Sequence, residues 1–115
     1  MQLSLVSSDG DLRHVSCRGE LTLLDLPGGA DPLETQLGPG YGGLKVLLNL
    51  ERATYMDSAA VGWLIGCHKR LRDGGGMLIL HSVPPLLDDM LRFLKLHTVL
   101  HVAADEAAAG ALAGR

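Results

Sequence analysis

The chain has 115 residues, enough for one hydrophobic core and too few for two, so a single domain over 1–115 is expected. Its 47% apolar and 20% charged composition excludes a globally disordered chain. A net charge of −3 and only four aromatic rings (Tyr41, Tyr55, Trp63, Phe93) give no basis for binding nucleic acid or an anionic membrane surface.

The opening "MQLSLVSSDGDLRHVS" lacks the basic head and long apolar run of a secretory signal. No apolar segment reaches the ~18 residues that span a bilayer. The two cysteines, Cys17 on an expected strand and Cys67 on an expected helix face, read as buried free thiols. A cytoplasmic protein fits these features.

"QLSLV" and "RHVSCR" alternate apolar with polar residues, as half-buried strands do, and "SSDGD" between them has hairpin-turn chemistry. Residues 25–43, "DLPGGADPLETQLGPGYGG", are the least regular part of the chain. Within them Asp31 as cap, Pro32 at the first helical position and Glu34 at capping-box spacing predict a helix of about two turns, stopped by "GPG". "LKVLLNL" is a nearly continuous apolar run, expected of a central strand covered on both faces.

A long helix is predicted from Ser58 to about Asp73, with Asp57 as its N-cap and "GGG" as its stop. "MLILHS" reads as another buried strand. "PPLLDDMLRFLKL" reads as a helix with Leu87, Met90, Leu91 and Leu94 at helical spacing. "TVLHV" is a short strand, and "ADEAAAGALAG" a short helix with its acids in the first turn. Strands alternating with helices predict an α/β sandwich: a mixed sheet of four to five strands, an initial hairpin and then parallel crossovers.

At about 100° per residue, Ala60, Leu64, Cys67 and Leu71 of the long helix share one side, with Val61 and His68 at its edge; this is the expected core face. Ser58, Gly62, Gly66, Lys69 and Asp73 fall opposite, flanked by Trp63 and Ile65. A glycine inside an exposed helix costs ~1 kcal/mol relative to alanine, so two on the outer face call for an offset. Two uses remain open. The strip is a docking site for another protein, or the glycines make room for the neighbouring loop while Trp63 folds over the sheet edge.

"VLLNLERATYMDSAAVGWLIGCHKRLRDGGGMLIL" resembles the centre of a STAS domain, the family of sulphate transporters and anti-sigma-factor antagonists. Leu48-Asn49-Leu50, Asp57-Ser58 and Gly74-Gly75 match its pattern, and Gly19-Glu20 matches an early Gly-Glu after the second strand. The resemblance implies a STAS fold over nearly the whole chain. For a stand-alone bacterial antagonist it implies that Ser58 is phosphorylated by an anti-sigma factor that is itself a serine protein kinase. The unmodified form binds that kinase and frees a sigma factor for transcription; phosphorylation prevents binding, and a phosphatase restores it. Asp57, Ser58, Gly62, Trp63, Ile65, Gly66 and Lys69 are the expected contacts, and the same face offers a surface for weak self-association.

Three positions and one helix depart from the family pattern. Ala60 and Lys95 stand where glycine is usual, Thr22 replaces an aspartate that often follows Gly-Glu-Leu, and the first helix is unusually short. These put the identity of the partner in doubt and leave the phosphoacceptor in place. Two further readings stay open: a STAS module that docks without phosphorylation, for example on a transporter ATPase, and a small-molecule sensor using the 25–43 loop as a pocket wall.

Catalysis is not expected. Ser58 lacks the Gly-x-Ser-x-Gly elbow of a nucleophile. His97 and His101 straddle a helix–strand boundary rather than one helix face, so no metal site is read there. "DGGGM" lacks the Lys-Ser/Thr of a phosphate loop and reads as a turn, and no cofactor is called for.

Overall fold

The apolar alternation of the first twenty residues produces a hairpin in the computed structural model, which describes residues 2–114. Strands β1 (Gln2–Asp9) and β2 (Leu12–Leu21) pair antiparallel around Gly10, whose φ of 61° is one that glycine adopts freely. β3 (Lys45–Met56), β4 (Met77–His81) and β5 (His101–Ala103) then add in parallel, giving one sheet in the order β1-β2-β3-β4-β5. Each parallel pair is linked through a helix: α1 (Pro32–Leu37), α2 (Ser58–Asp73) and α3 (Pro85–Phe93). Right-handed crossovers between sequential neighbours put all three helices on the same face. A fourth helix, α4 (Glu106–Leu112), follows β5.

The period-2 alternation of the strands divides the core into two layers. Val15, Cys17, Val46, Leu48, Leu50, Leu78 and Leu80 pack with Leu33, Leu64, Leu71, Leu87 and Leu91 from α1–α3. Leu12, Leu47 and Ile79 point the other way, toward Ala109 of α4 and Ala113 just beyond it. Central strand β3 is therefore buried on both faces, as its continuous apolar run predicts. Both cysteines are free and buried.

The strand expected over 98–102 is His101–Ala103, because Leu96–Thr98 forms a 3-10 turn, and three further details differ from expectation. β3 does not stop at Leu50. It runs to Met56 because β2 supplies pairing partners as far as Leu21↔Met56, through two irregularities in the register. Leu94 does not share the buried face of α3. The helix ends at Phe93, and Leu94, its C-cap, is 48% exposed. Finally, the α1 cap is the Leu33 N–H donating to Asp31 Oδ1 at 3.0 Å, without a reciprocal Glu34 bond among the described residues.

Lys95, which ends this α3 segment, has φ 58° and ψ 25°, the left-handed region. That geometry explains why the family pattern places glycine there: a Cβ in this region costs roughly 1–2 kcal/mol.

Candidate functional site

The N-terminus of α2 is fixed by one carboxylate acting in two directions. Asp57 Oδ1 accepts from the Ala60 N–H at 2.9 Å, closing the first turn. Its Oδ2 accepts from the Leu23 N–H, also at 2.9 Å, joining the helix start to the turn after β2. These backbone bonds from Ala60 and Leu23 hold the Asp57 carboxyl below the ordinary aspartate range. The turn carries its own cap. Thr22 accepts from Leu24 N–H, and Asp25 accepts from Thr22 N–H at 2.9 Å, a capping box across Leu23–Asp25.

Ser58, next in the chain, is exposed at the first position of α2. Among the described residues no side chain hydrogen-bonds its hydroxyl. The core face of α2 consists of Ala60, Val61, Leu64, Cys67, His68 and Leu71, as the helical periodicity predicts. Gly62 and Lys69 are exposed on the opposite side, with Gly66 half-buried. A Cβ built at Gly62 or Gly66 would meet nothing within 4 Å. The glycines therefore make no room for a neighbouring loop, and the strip they form is open.

Trp63 and Ile65 lie at the edge of burial, on the flanks where the helical wheel puts them. Both are half-buried and pack against the core, so they edge the strip rather than stand out from it. Trp63 is additionally tied to the 25–43 loop, because its indole Nε1–H donates to Asp31 Oδ1 at 2.8 Å. Trp63 thus turns toward the 25–43 loop, while neither Gly62 nor Gly66 leaves space that the loop needs.

The exposed apolar surface near Ser58 comes instead from a segment that periodicity does not mark. Leu23 is 64% exposed and Leu24 is 90% exposed, on the turn held by Asp57. The Thr22-x-x-Asp25 capping-box spacing was the available signal for an ordered turn there.

Asp31 is the second convergence. Besides Leu33 and Trp63, it accepts from the Tyr41 hydroxyl and pairs with the Arg70 guanidinium. Arg70 Nη1 also donates to Tyr41 Oη at 2.6 Å, and the guanidinium Cζ lies 5.6 Å from the ring centre. Burial pushes the Asp31 carboxyl up, but the bonds from Tyr41, Trp63 and Leu33, with the Arg70 charge, outweigh it and leave the carboxyl below its ordinary value. Burial, then the nearby Asp31 charge, raises the Cys67 thiol to about 12, so it stays protonated and unreactive. A cleft of about 480 Å³ opens beside this cluster, lined by Gly29, Ala30, Asp31, Glu34, Thr35, Pro39 and Arg70.

The histidines are dispersed. His14 pairs with Glu106 at 2.8 Å, His81 Nδ1 lies 2.9 Å from Ser82 Oγ, and the His68 ring meets His101 edge-on at 5.8 Å between centres. Among the described residues no cluster of three or more metal-ligating side chains forms, and no helix is long and apolar enough to cross a membrane.

The sequence model of the STAS domain matches residues 30–109. The chain belongs to the STAS family. Solved structures with the same fold include a Thermotoga maritima protein named as a candidate anti-sigma factor antagonist, at 19% identity and TM-score 0.81, covering 95% of this chain and 92% of that one. The Bacillus cell fate determinant SpoIIAA in its phosphorylated form matches at 21% identity and TM-score 0.67, covering 96% and 99%. A sulfate transporter family protein from Wolinella succinogenes matches at 18% identity and TM-score 0.69, covering 95% and 89%. At these identities the likeness is one of fold.

Proposed function

We propose that this STAS domain is a cytoplasmic anti-sigma-factor antagonist. It docks through the face around Ser58 onto an anti-sigma factor that is a serine protein kinase, and phosphorylation of Ser58 releases it. A phosphatase resets the switch. The carrying observation is the exposed Ser58 hydroxyl at the head of an open strip, Gly62 and Gly66, beside the exposed Leu23 and Leu24. Asp57, Trp63, Ile65 and Lys69 border that surface. Likeness to SpoIIAA, solved in a phosphorylated form, supports the reading.

The energetics favour release over refolding. A phosphate on Ser58 adds about −1.5 to −2 charge next to Asp57. Within the domain the N-terminus of α2 stabilises it by only ~0.3–1 kcal/mol. Against a partner the same charge must be desolvated, at a cost of several kcal/mol, and each ~1.4 kcal/mol is tenfold in affinity. Binding is lost while the fold stands. The role is docking, without catalysis by this chain.

The test is incubation with the host's anti-sigma kinases and ATP, with the phosphate located by mass spectrometry. Phosphate on Ser58 and loss of the complex are expected; phosphate elsewhere, or a complex that survives it, defeats the proposal. Docking without phosphorylation is the second reading, favoured by the transporter-family likeness, and would show as a stable complex with no phosphate transfer.

A further inference from the structure

The segment between β2 and β3 turns repeatedly on glycine. Gly28, Gly29, Gly38 and Gly40 all have positive φ, between 62° and 87°, and the helix between them has six residues. Burial of Leu33 and Tyr41 places this segment over the core. Leu23 and Leu24 of this segment lie beside Ser58, and Asp31 is its side chain that hydrogen-bonds Trp63 on the flank of the proposed docking strip. Its carboxylate, with 11% of its side chain exposed, receives the Trp63 indole N–H while its other oxygen holds Tyr41 and Arg70.

A half-buried indole needs no such acceptor to bury its apolar body. Leucine or phenylalanine would pack the same edge. What the Trp63–Asp31 bond adds is direction, because it fixes the rotation of the ring about its own side-chain torsions. A carboxylate acceptor makes that bond stronger than a neutral one. Trp63 sits about 100° around the helix from Gly62, so its ring flanks one side of the strip. Tryptophan is among the residue types that dominate protein–protein binding energies.

We infer that Asp31 is a positioning residue for partner recognition: it orients Trp63 as one wall of the Ser58 surface, and so links the glycine-rich segment to the choice of partner. This rests on the docking reading above. In this role the short first helix is the platform from which Asp31 reaches α2.

Trp63 is the sole tryptophan, so tryptophan emission reports on the surroundings of this one ring. Asp31→Ala should shift its emission to the red and speed its quenching by acrylamide, and should weaken binding of the anti-sigma factor by about tenfold. Asp31→Asn, which keeps one acceptor oxygen and nearly the same volume, should fall between. In a Trp63→Phe background the Asp31→Ala step should change affinity by less than about threefold, because the group that Asp31 orients is gone. Equal losses in both backgrounds would reduce Asp31 to a purely structural role and overturn the inference, as would unaltered quenching in Asp31→Ala. If Asp31→Asn binds and quenches like the unaltered chain, the carboxylate is not the orienting group. Failure of the unaltered chain to bind any anti-sigma factor defeats the docking reading instead, and is told apart because no Asp31 variant enters it.

Discussion

Along α2, Gly62 and Gly66 face open space, whereas Gly74 and Gly76, just past its end, lie against the backbone of the 41–44 turn. A Cβ at Gly74 would meet Gly42 backbone atoms at 2.5 Å, and one at Gly76 would meet Leu44 O at 2.0 Å. There the absent side chain lets two chain segments touch, and the Met77 N–H reaches Leu44 O at 3.1 Å as β4 begins. The same residue type is thus spent on the domain's own closure at one place and on nothing within the domain at the other. An unexplained cost of about 2 kcal/mol in the middle of α2 is what a surface kept flat for another molecule would show.

The comparison breaks most directly at the closed end. Gly76→Ala should destabilise by about 3 kcal/mol or more in denaturant titration, since backbone rather than a side chain must move. A loss below about 1 kcal/mol would mean that the junction is looser than described. At the open end, Ser58→Asp should lower partner affinity at least about a hundredfold while the melting temperature stays within about 2 °C, because an exposed position has little to lose in the monomer. Equal binding by that variant would remove charge as the signal, and Ser58→Ala should bind constitutively.

Gly62→Ala sharpens the contrast further. It should stabilise the isolated domain by roughly 0.5–1 kcal/mol, yet weaken the complex, as a methyl group raises the strip. Stabilisation with unchanged binding would leave the glycine without a docking role. Lys95→Gly probes the converse case, a left-handed position without glycine, and should add about 0.5–1 kcal/mol in the same titration.

The smallest effect concerns pH. Burial lowers the pKa of His68, with help from His101, Arg72 and Lys69, and burial likewise lowers that of His81. A depressed histidine takes up its proton more readily when unfolded. Its contribution is therefore complete above the unfolded value of 6.5 and is lost as pH falls through the folded value. Stability measured from pH 7.5 downward should begin to fall below about pH 6.5. Asp31 and Asp57, both lowered, should add a second loss as pH falls below 3.8. His68→Leu should flatten the first part of the curve, since the His68 Nδ1 is buried without a hydrogen-bond partner among the described residues.

How far the sequence reached can be seen residue by residue. The α2 wheel separated Leu64 and Cys67 from Ser58 and Gly62 because helical periodicity depends only on local geometry. The Asp57 cap and the hairpin at Gly10 were legible for the same reason. The second bond of Asp57, to Leu23, was not, since it joins residues 34 positions apart. Asp31 read only as a cap for Pro32–Leu37, yet three of its partners, Tyr41, Trp63 and Arg70, arrive from 10 to 39 residues away.

The order of residues alone settled the α/β alternation, the buried side of α2 and the outward place of Ser58, all consequences of backbone periodicity and capping. Only the assembled fold decided which glycines are pressed shut and which lie open, that Leu23 and Leu24 stand beside the serine, and that one carboxylate steers Trp63. Those depend on distances between segments remote in the chain, which local preferences do not encode.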